Sequence, residues 1–169
     1  MKDSLFAAVI TISDRSFQGT YADQTGPAVS QLLTENQWQI IRTALLPDEK
    51  SQIERELLQC CDDLKIPLVI TAGGTGFSPR DVTPEATRAV IEKQASGLVI
   101  AMIQASLTKT PHAMLSRQVA GIRGNSLIVN LPGSPAAACE NLAILLPALP
   151  HAVSLIRSEP DSEKGHHSK

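Results

Sequence analysis

Aromatic residues are scarce in this chain of 169 residues, at 3% of the composition with one Trp, one Tyr and three Phe. That argues against an antiparallel sandwich, whose strands draw heavily on aromatic side chains. Ala, Val, Ile and Leu are plentiful instead, which suits helices packed on a parallel sheet. Charge of one sign is missing too: 15 basic residues stand against 17 acidic ones, a formal net of −2, and no basic block occurs. Nothing announces binding to nucleic acid or to a membrane, and an anionic small molecule would need a locally built site. No apolar run reaches the roughly eighteen residues of a membrane span. The opening MKDSLFAAVITISD has an acid ahead of a short apolar stretch, the wrong flank for a signal peptide, so a cytoplasmic protein is expected. Cysteine is limited to Cys60, Cys61 and Cys139, an odd number in helical-looking stretches. Neither a disulfide framework nor a zinc site follows from that pattern. The length suits one domain over residues 1–157, and the polar tail 158–169, with His166 and His167 near its end, reads as disordered.

What is present alternates between strand and helix signals. Residues 5–12 form a nearly unbroken apolar run, expected as a central strand buried on both faces. Residues 13–25, SDRSFQGTYADQT, read as a long polar loop, a length more often functional than idle. A helix is expected from Pro27 to Leu33, a second strand from Trp38 to Leu46, and then a helix with Asp48 as N-cap whose apolar face runs through Ile53, Leu57, Cys61 and Leu64. Residues 68–71 should close a strand–helix–strand crossover, which normally places its two parallel strands side by side. Further helices are expected over 84–94, with Thr83 as N-cap, and over 97–107, where GLVIAMIQASL is apolar almost all round and calls for burial, best supplied by another subunit. Arg123-Gly124-Asn125 suggests a hairpin turn into a strand over 126–131. The last helix should start at Pro135 and break near Pro147 and Pro150.

The densest stretch is 67–84, PLVITAGGTGFSPRDVTP. A short buried strand empties into a loop in which Gly73, Gly74 and Gly76 free the backbone to turn N–H groups toward one point, with Thr71, Thr75 and Ser78 supplying hydroxyls. Such a composition suits an anion cradle. It is neither a Walker A loop nor a dinucleotide fingerprint, and a tight strand-to-helix turn would use the same glycines. NLPGSP over 130–135 repeats the arrangement at a second strand end. In a parallel sheet the loops 13–25, 47–49, 72–81 and 132–134 share one edge and gather Asp14, Asp23, Asp48, Glu49 and Asp81. Carboxylates beside phosphate donors suit a nucleotide bound through Mg²⁺, and hence nucleotidyl or phosphoryl transfer. Capping or a plain turn would equally explain Asp48, Asn130 and Ser134, and Arg117 reads as a surface residue or a partner for an anion.

The series TISDR, LPDE, TAGGTGFSPRDVTPEAT, AMLSRQVAGIRG and NLPGSP, in this order, resembles the MogA/MoaB-type molybdopterin adenylyltransferases of molybdenum cofactor synthesis, over about residues 6–156. The superfamily also includes a domain of MoeA proteins and of gephyrin. The resemblance implies a three-layer αβα fold with a mixed, mostly parallel sheet, a homotrimer, and possible contact with a molybdenum-inserting MoeA-type protein. It implies a reaction in which Mg²⁺ and ATP adenylylate the terminal phosphate of molybdopterin and release pyrophosphate. By position it places the catalytic and metal-handling acids at Asp48 and Asp81. The binding loops fall on Ser13, Asp14, Gly73, Gly74, Thr75 and Gly76, with Ser116, Asn130, Pro132, Gly133 and Ser134 lining the site. One departure is that Ile100 and Ile103 stand where the family commonly carries charges, which raises the alternative of a non-catalytic member that binds molybdopterin or nucleotide.

Overall fold

The computed structural model describes residues 5–158; the tail over 159–169, including His166 and His167, lies outside the described residues. Six strands form one sheet in the order β2-β1-β3-β6-β5-β4. They are β1 (Leu5–Ile12), β2 (Trp38–Leu46), β3 (Leu68–Ala72), β4 (Lys93–Gln94), β5 (Ala120–Arg123) and β6 (Ser126–Leu131). β2, β1, β3 and β6 run parallel, and β5 and β4 add an antiparallel margin. β1, β3 and β6 are the apolar runs buried on both faces, which is why they hold the centre. β2, with only Trp38 fully buried, alternates exposed with partly covered positions through Thr43, as an edge strand covered on one side does.

The helices are α1 (Asp14–Phe17), α2 (Thr25–Glu35), α3 (Lys50–Leu58), α4 (Thr83–Val90), α5 (Ser96–Leu107), α6 (Pro135–Leu145) and α7 (Leu149–Ile156). Two apolar clusters make the three layers. On one face Val29 and Leu33 of α2, Leu142 of α6 and Val153 of α7 pack on Val9, Ile70 and Val129. On the other, Ile53 and Leu57 of α3 and Ala86 of α4 pack on Ile10, Val69 and Ile128. The end of α3 widens into a π turn over Gln59–Asp63 that buries Cys60 and Cys61, and burial pushes these thiols up to about 12 and about 11.

Several expectations need correction. The crossover from β2 to β3 does not make neighbours, because β1 lies between them. The chain thus winds outward from β1 in both directions and creates a topological switch point at the β1/β3 carboxyl ends, where open α/β sheets bind ligands. Loop 13–25 contains α1, whose first turn is capped by the Ser13 hydroxyl accepting from the Ser16 N–H. α4 ends at Val90, and residues 93–94 pair as a short strand with β5. The break near Pro147 does occur, and α6 and α7 meet there at 64°. Among the described residues no single helix is long and apolar enough to cross a membrane.

Candidate active site

Two glycines fix the shape of the β3 turn. Gly73 has φ +108°, and a Cβ there would lie 2.1 Å from the Ile12 carbonyl oxygen at the end of β1. Gly74 has φ +65°, and its Cβ would lie 2.4 Å from Thr83 Oγ1 and 2.8 Å from Asp48 Oδ1. Only glycine adopts these angles cheaply and lets an acid approach the backbone so closely. The Gly73 N–H is spent on the Leu131 carbonyl at 3.1 Å, so it ties β3 to β6 and is not among the donors offered to a ligand.

Asp48 is not a helix cap: Glu49 occupies that position, without a side-chain hydrogen bond. Instead Asp48 and Asp14 exchange bonds, each main-chain N–H donating to the other's carboxylate at 3.0 Å. That reciprocal pair pins the end of β2 to the end of β1. Asp48 Oδ1 is buried without a hydrogen-bond partner. Burial raises the Asp48 carboxyl above the ordinary range, a backbone bond from Asp14 opposes this, and the charges of Asp14 and Asp81 add to the rise. Arg80 crosses the gap from the glycine loop, donating to both Asp14 oxygens at 2.9 and 3.1 Å and to Glu49 at 2.9 Å. Its guanidinium holds the Asp14 carboxyl below the usual carboxylate range.

Asp81 precedes α4, and its Oδ2 accepts from the Ser78 N–H at 3.1 Å. Thr83 is not the cap of that helix either. It is the first helical residue, fully buried, and its hydroxyl donates to the Gly73 carbonyl at 2.9 Å.

Two adjoining cavities open along this edge. The polar one, about 650 Å³, is lined from all four strand-end loops by Ser13, Asp14, Asp48, Gly73, Arg80 and Ser134 among others. α6 begins at its wall, where the Ser134 hydroxyl caps the helix by accepting from the Ala137 N–H, and such a helix end favours an anion. Arg15 faces the same cavity and stacks on Tyr21, 5.6 Å from the ring centroid. The second cavity, about 460 Å³ and more apolar, is lined by Thr75, Gly76, Ile103, Ser116, Gln118 and Pro132 among others. Gly74, Asp81 and Gly133 border both.

The family whose description is a probable molybdopterin binding domain, in molybdenum cofactor biosynthesis, matches residues 8–151. The chain belongs to that family. It is 41% identical over 155 residues to a molybdopterin adenylyltransferase of Helicobacter pylori, covering 90% of this chain and 88% of that one. Gephyrin of Dictyostelium discoideum is 42% identical over 180 residues, but the chain, 99% covered, spans only 25% of its length. The MoaB molybdopterin biosynthesis enzyme of Thermus thermophilus superposes with a TM-score of 0.87 at 43% identity, over 92% of this chain and 98% of that one. The three-layer fold with a mixed, mostly parallel sheet is therefore the fold of the MoaB and MogA structures.

Within this molybdopterin-binding family fold, most residues named from sequence line a cavity: Ser13, Asp14, Asp48, Gly73 and Ser134 the polar one, Thr75, Gly76, Ser116 and Pro132 the apolar one, and Gly74, Asp81 and Gly133 both. Asn130 lines neither. It is fully buried, its amide N–H groups donate to Thr71 and Thr87 hydroxyls at 2.9 Å, and its Oδ1 accepts from the Val119 N–H. It holds the walls together from behind. Ile103 is part of the apolar lining, whereas Ile100 is 54% exposed on the outer face of α5. Sequence reasoning missed Gln118 and Asn141, buried amides joined at 3.0 Å that give the apolar cavity a polar side. It left Arg117 open between a surface residue and a partner for an anion, and missed its partners within the chain. The Arg117 side chain is turned onto the glycine loop and is engaged there with Gly76, Asp81 and Glu85.

Among the described residues no cluster of three or more His, Cys, Asp or Glu side chains is placed to hold a metal. Mg²⁺ asks for less: one or two carboxylates suffice when substrate phosphates and waters complete its octahedron. The orphaned, buried Asp48 Oδ1 facing a wall shared with Asp81 fits that requirement.

Proposed function

We propose that the protein is a molybdopterin adenylyltransferase of molybdenum cofactor biosynthesis, acting in the cytoplasm, which transfers AMP from ATP to the terminal phosphate of molybdopterin. One observation carries the reading. A buried carboxylate with an unpartnered oxygen, Asp48, and a second carboxylate, Asp81, line one phosphate-suited cavity, and Asp81 also borders the adjoining cavity, which suits a flat heterocycle. The family membership and the identity to curated adenylyltransferases support it.

In the reaction a phosphate oxygen of molybdopterin forms a bond to the α-phosphorus of ATP, and the bond from that phosphorus to the bridging oxygen of the β-phosphate breaks. Pyrophosphate leaves with the electron pair. A phosphate anion needs no general base, so the chain's task is to position two anions and offset their repulsion. Arg15 and the start of α6 supply positive potential in the polar cavity, and Arg80 offsets the Asp14 and Glu49 carboxylates at its rim. Ser13 and Ser134 border the path of the phosphates, and Thr75, Ser116, Gln118 and Asn141 orient a heterocycle by its polar edge. Asp48 and Asp81 would hold Mg²⁺, which when bound neutralises phosphate charge and polarises the α-phosphorus. A homotrimer belongs to the same reading, with the outer face of α5, where Ile100 and Leu107 stand exposed, as the contact. Contact with a MoeA-type protein is part of it as well.

The test is pyrophosphate release from Mg-ATP with and without molybdopterin. Release is expected only with both present, and Asp81→Asn should lower kcat at least about 100-fold with an unchanged melting temperature. The alternative, a member that binds but does not turn over, rests on Ile103 in the cavity wall. Calorimetric binding of molybdopterin without pyrophosphate release would establish that alternative instead.

A further inference from the structure

Residues 76–81 run from the glycine turn after β3 toward the start of α4, with Asp81 at their end. Two glycines precede this segment at 73 and 74, and Gly76 opens it, so the loop has much backbone freedom to lose on ordering. Thr83 closes its base, donating from its main-chain N–H to the Gly74 carbonyl at 3.1 Å and from its hydroxyl to the Gly73 carbonyl at 2.9 Å, and a side chain from elsewhere in the chain spans the loop itself. Arg117 donates from Nε to the Gly76 carbonyl at 2.7 Å and from Nη2 to the Asp81 carbonyl at 2.7 Å. Its main-chain N–H donates to the Thr75 carbonyl at 2.8 Å. Nη1 pairs with Glu85 in the first turn of α4. The planar fork of a guanidinium thus spans both ends of the loop, and its charge is balanced outside it.

The position of the Asp81 carboxylate follows from that closure. A Cβ on Gly76 would lie 2.9 Å from Asp81 Oδ2, so the acid rests against the very residue whose carbonyl Arg117 holds. The internal bonds between Ser78 and Asp81, at 2.9 and 3.1 Å, shape the loop without anchoring it to the body. Arg80 ties the tip of the loop to Asp14 and Glu49, but its side chain bonds to neither the Gly76 nor the Asp81 main chain, whose carbonyls Arg117 holds together. Glu85, with Oε2 buried and without a hydrogen-bond partner, is flanked by Arg117 and, at 3.7 Å, by Arg88. The neighbours of Arg117 matter as well. Ser116 and Gln118 line the apolar cavity, so one short extended segment builds a wall of the heterocycle compartment and sets the acid at its border.

We infer that Arg117 is a positioning residue for Asp81: its forked geometry, more than its charge, holds loop 76–81 closed and keeps the Asp81 carboxylate at the wall shared by the two cavities. This rests on the adenylyl-transfer reading above. A lysine would keep the charge opposite Glu85 but cannot bridge two carbonyls with one planar group.

The experiment compares wild type with Arg117→Lys, Arg117→Gln and Asp81→Asn. It measures kcat and KM for ATP, Mn²⁺ binding in the presence of ATP by the free-ion electron paramagnetic resonance signal, and melting temperature. Arg117→Lys is expected to stay folded near the wild-type melting temperature. Its kcat should fall roughly 30- to 100-fold, since a misplacement of about 1 Å costs on that order, with KM for ATP within about threefold and Mn²⁺ bound at least about fivefold more weakly. Recovery of kcat by lysine to within about threefold of wild type would show that charge alone matters and would overturn the inference. So would Mn²⁺ affinity in Arg117→Gln equal to wild type in the folded fraction. If wild type shows no pyrophosphate release at all, the functional reading fails, whereas the Mn²⁺ comparison still decides the role of Arg117.

Discussion

Replacing Asp48 by Asn should stabilise the protein while abolishing its activity. Asp48 is 9% exposed, with Oδ2 accepting one main-chain N–H and Oδ1 lacking any partner. Arg80, the cation nearest to this network, is committed to Asp14 and Glu49. An uncompensated buried charge costs several kcal/mol, and the retained charge-assisted bond returns about 1.5–3 kcal/mol. The balance leaves a penalty of roughly 1–2 kcal/mol at neutral pH, most of which the isosteric amide removes, because its oxygen can still accept the Asp14 N–H and its unpaired NH2 costs less to bury than a charge. For a chain of this size that corresponds to a rise in Tm of about 2–8 °C. The sign with pH follows from the direction of the Asp48 shift. Its folded pKa is raised by burial, so the wild type is least penalised below the ordinary carboxylate range and loses stability as pH rises through the raised value. The advantage of Asp48→Asn should therefore vanish toward pH 4 and be complete by neutral pH. Calorimetric melts in chelator-treated buffer at several pH values check this, alongside pyrophosphate release, which should fall at least about 100-fold. An Asn variant that melts several degrees below wild type at neutral pH would refute the reasoning, because Asp48 would then be a structural anchor through its charge.

The two kinds of glycine in the loop should separate. Gly73→Ala puts a Cβ 2.1 Å from a main-chain oxygen at φ +108°, and neither atom can move without opening the β1/β3 junction, so a loss of about 3 kcal/mol or more is expected in denaturant melts. Gly76→Ala meets only the Asp81 carboxylate at 2.9 Å, so it should leave stability within about 1 kcal/mol and lower turnover instead. The thiols give a third check. Burial keeps Cys60 and Cys61 protonated, at about 12 and about 11, while Cys139 is only half-buried. Alkylation of native protein at pH 8, read by peptide mass spectrometry, should label Cys139 first, with Cys60 and Cys61 reacting only after denaturation.

The central strands could be read from sequence because burial on both faces writes a continuous apolar run, and the ends of β1, β2 and β6 fall where those runs end. Elements without an apolar signature escaped. α1 rests on a Ser13 cap and buries no residue, and β4 is two exposed polar residues whose strand character comes only from pairing with β5. Strand order escaped for a related reason: the local pattern says that β2 and β3 are strands, not that β1 separates them. At the site, the loops announced themselves through glycine, proline and acid spacing. Arg117 did not, because the target of a guanidinium is set by tertiary placement. The signal that could have found it is alternation along an extended segment, which turns Arg117 to the side opposite Ser116 and Gln118. Asp48 and Thr83 were read as caps from true statistical preferences, yet tertiary partners, the Asp14 N–H and the Gly73 carbonyl, claimed both side chains.

The repeated glycine turn acquires its reason from the sheet. β3 and β6 are adjacent, with Ala72 opposite Leu131, so the turns that follow them emerge one strand spacing apart. Side chains at that point would fill the space between them, and a Cβ on Gly133 would already stand 3.4 Å from the Gly73 Cα. Bare backbone there keeps the partition between the two cavities thin, with Asp81 beside it. A thin partition is what a transfer between two bound molecules requires, because the attacking and accepting atoms must close to about 3–3.5 Å. A single large cavity would hold both substrates without aligning them, and two well-separated ones would hold them without contact. On the proposed reading the glycines at 73, 74 and 133 would act on the reaction through what they leave out, and Arg117 through the order it gives to loop 76–81.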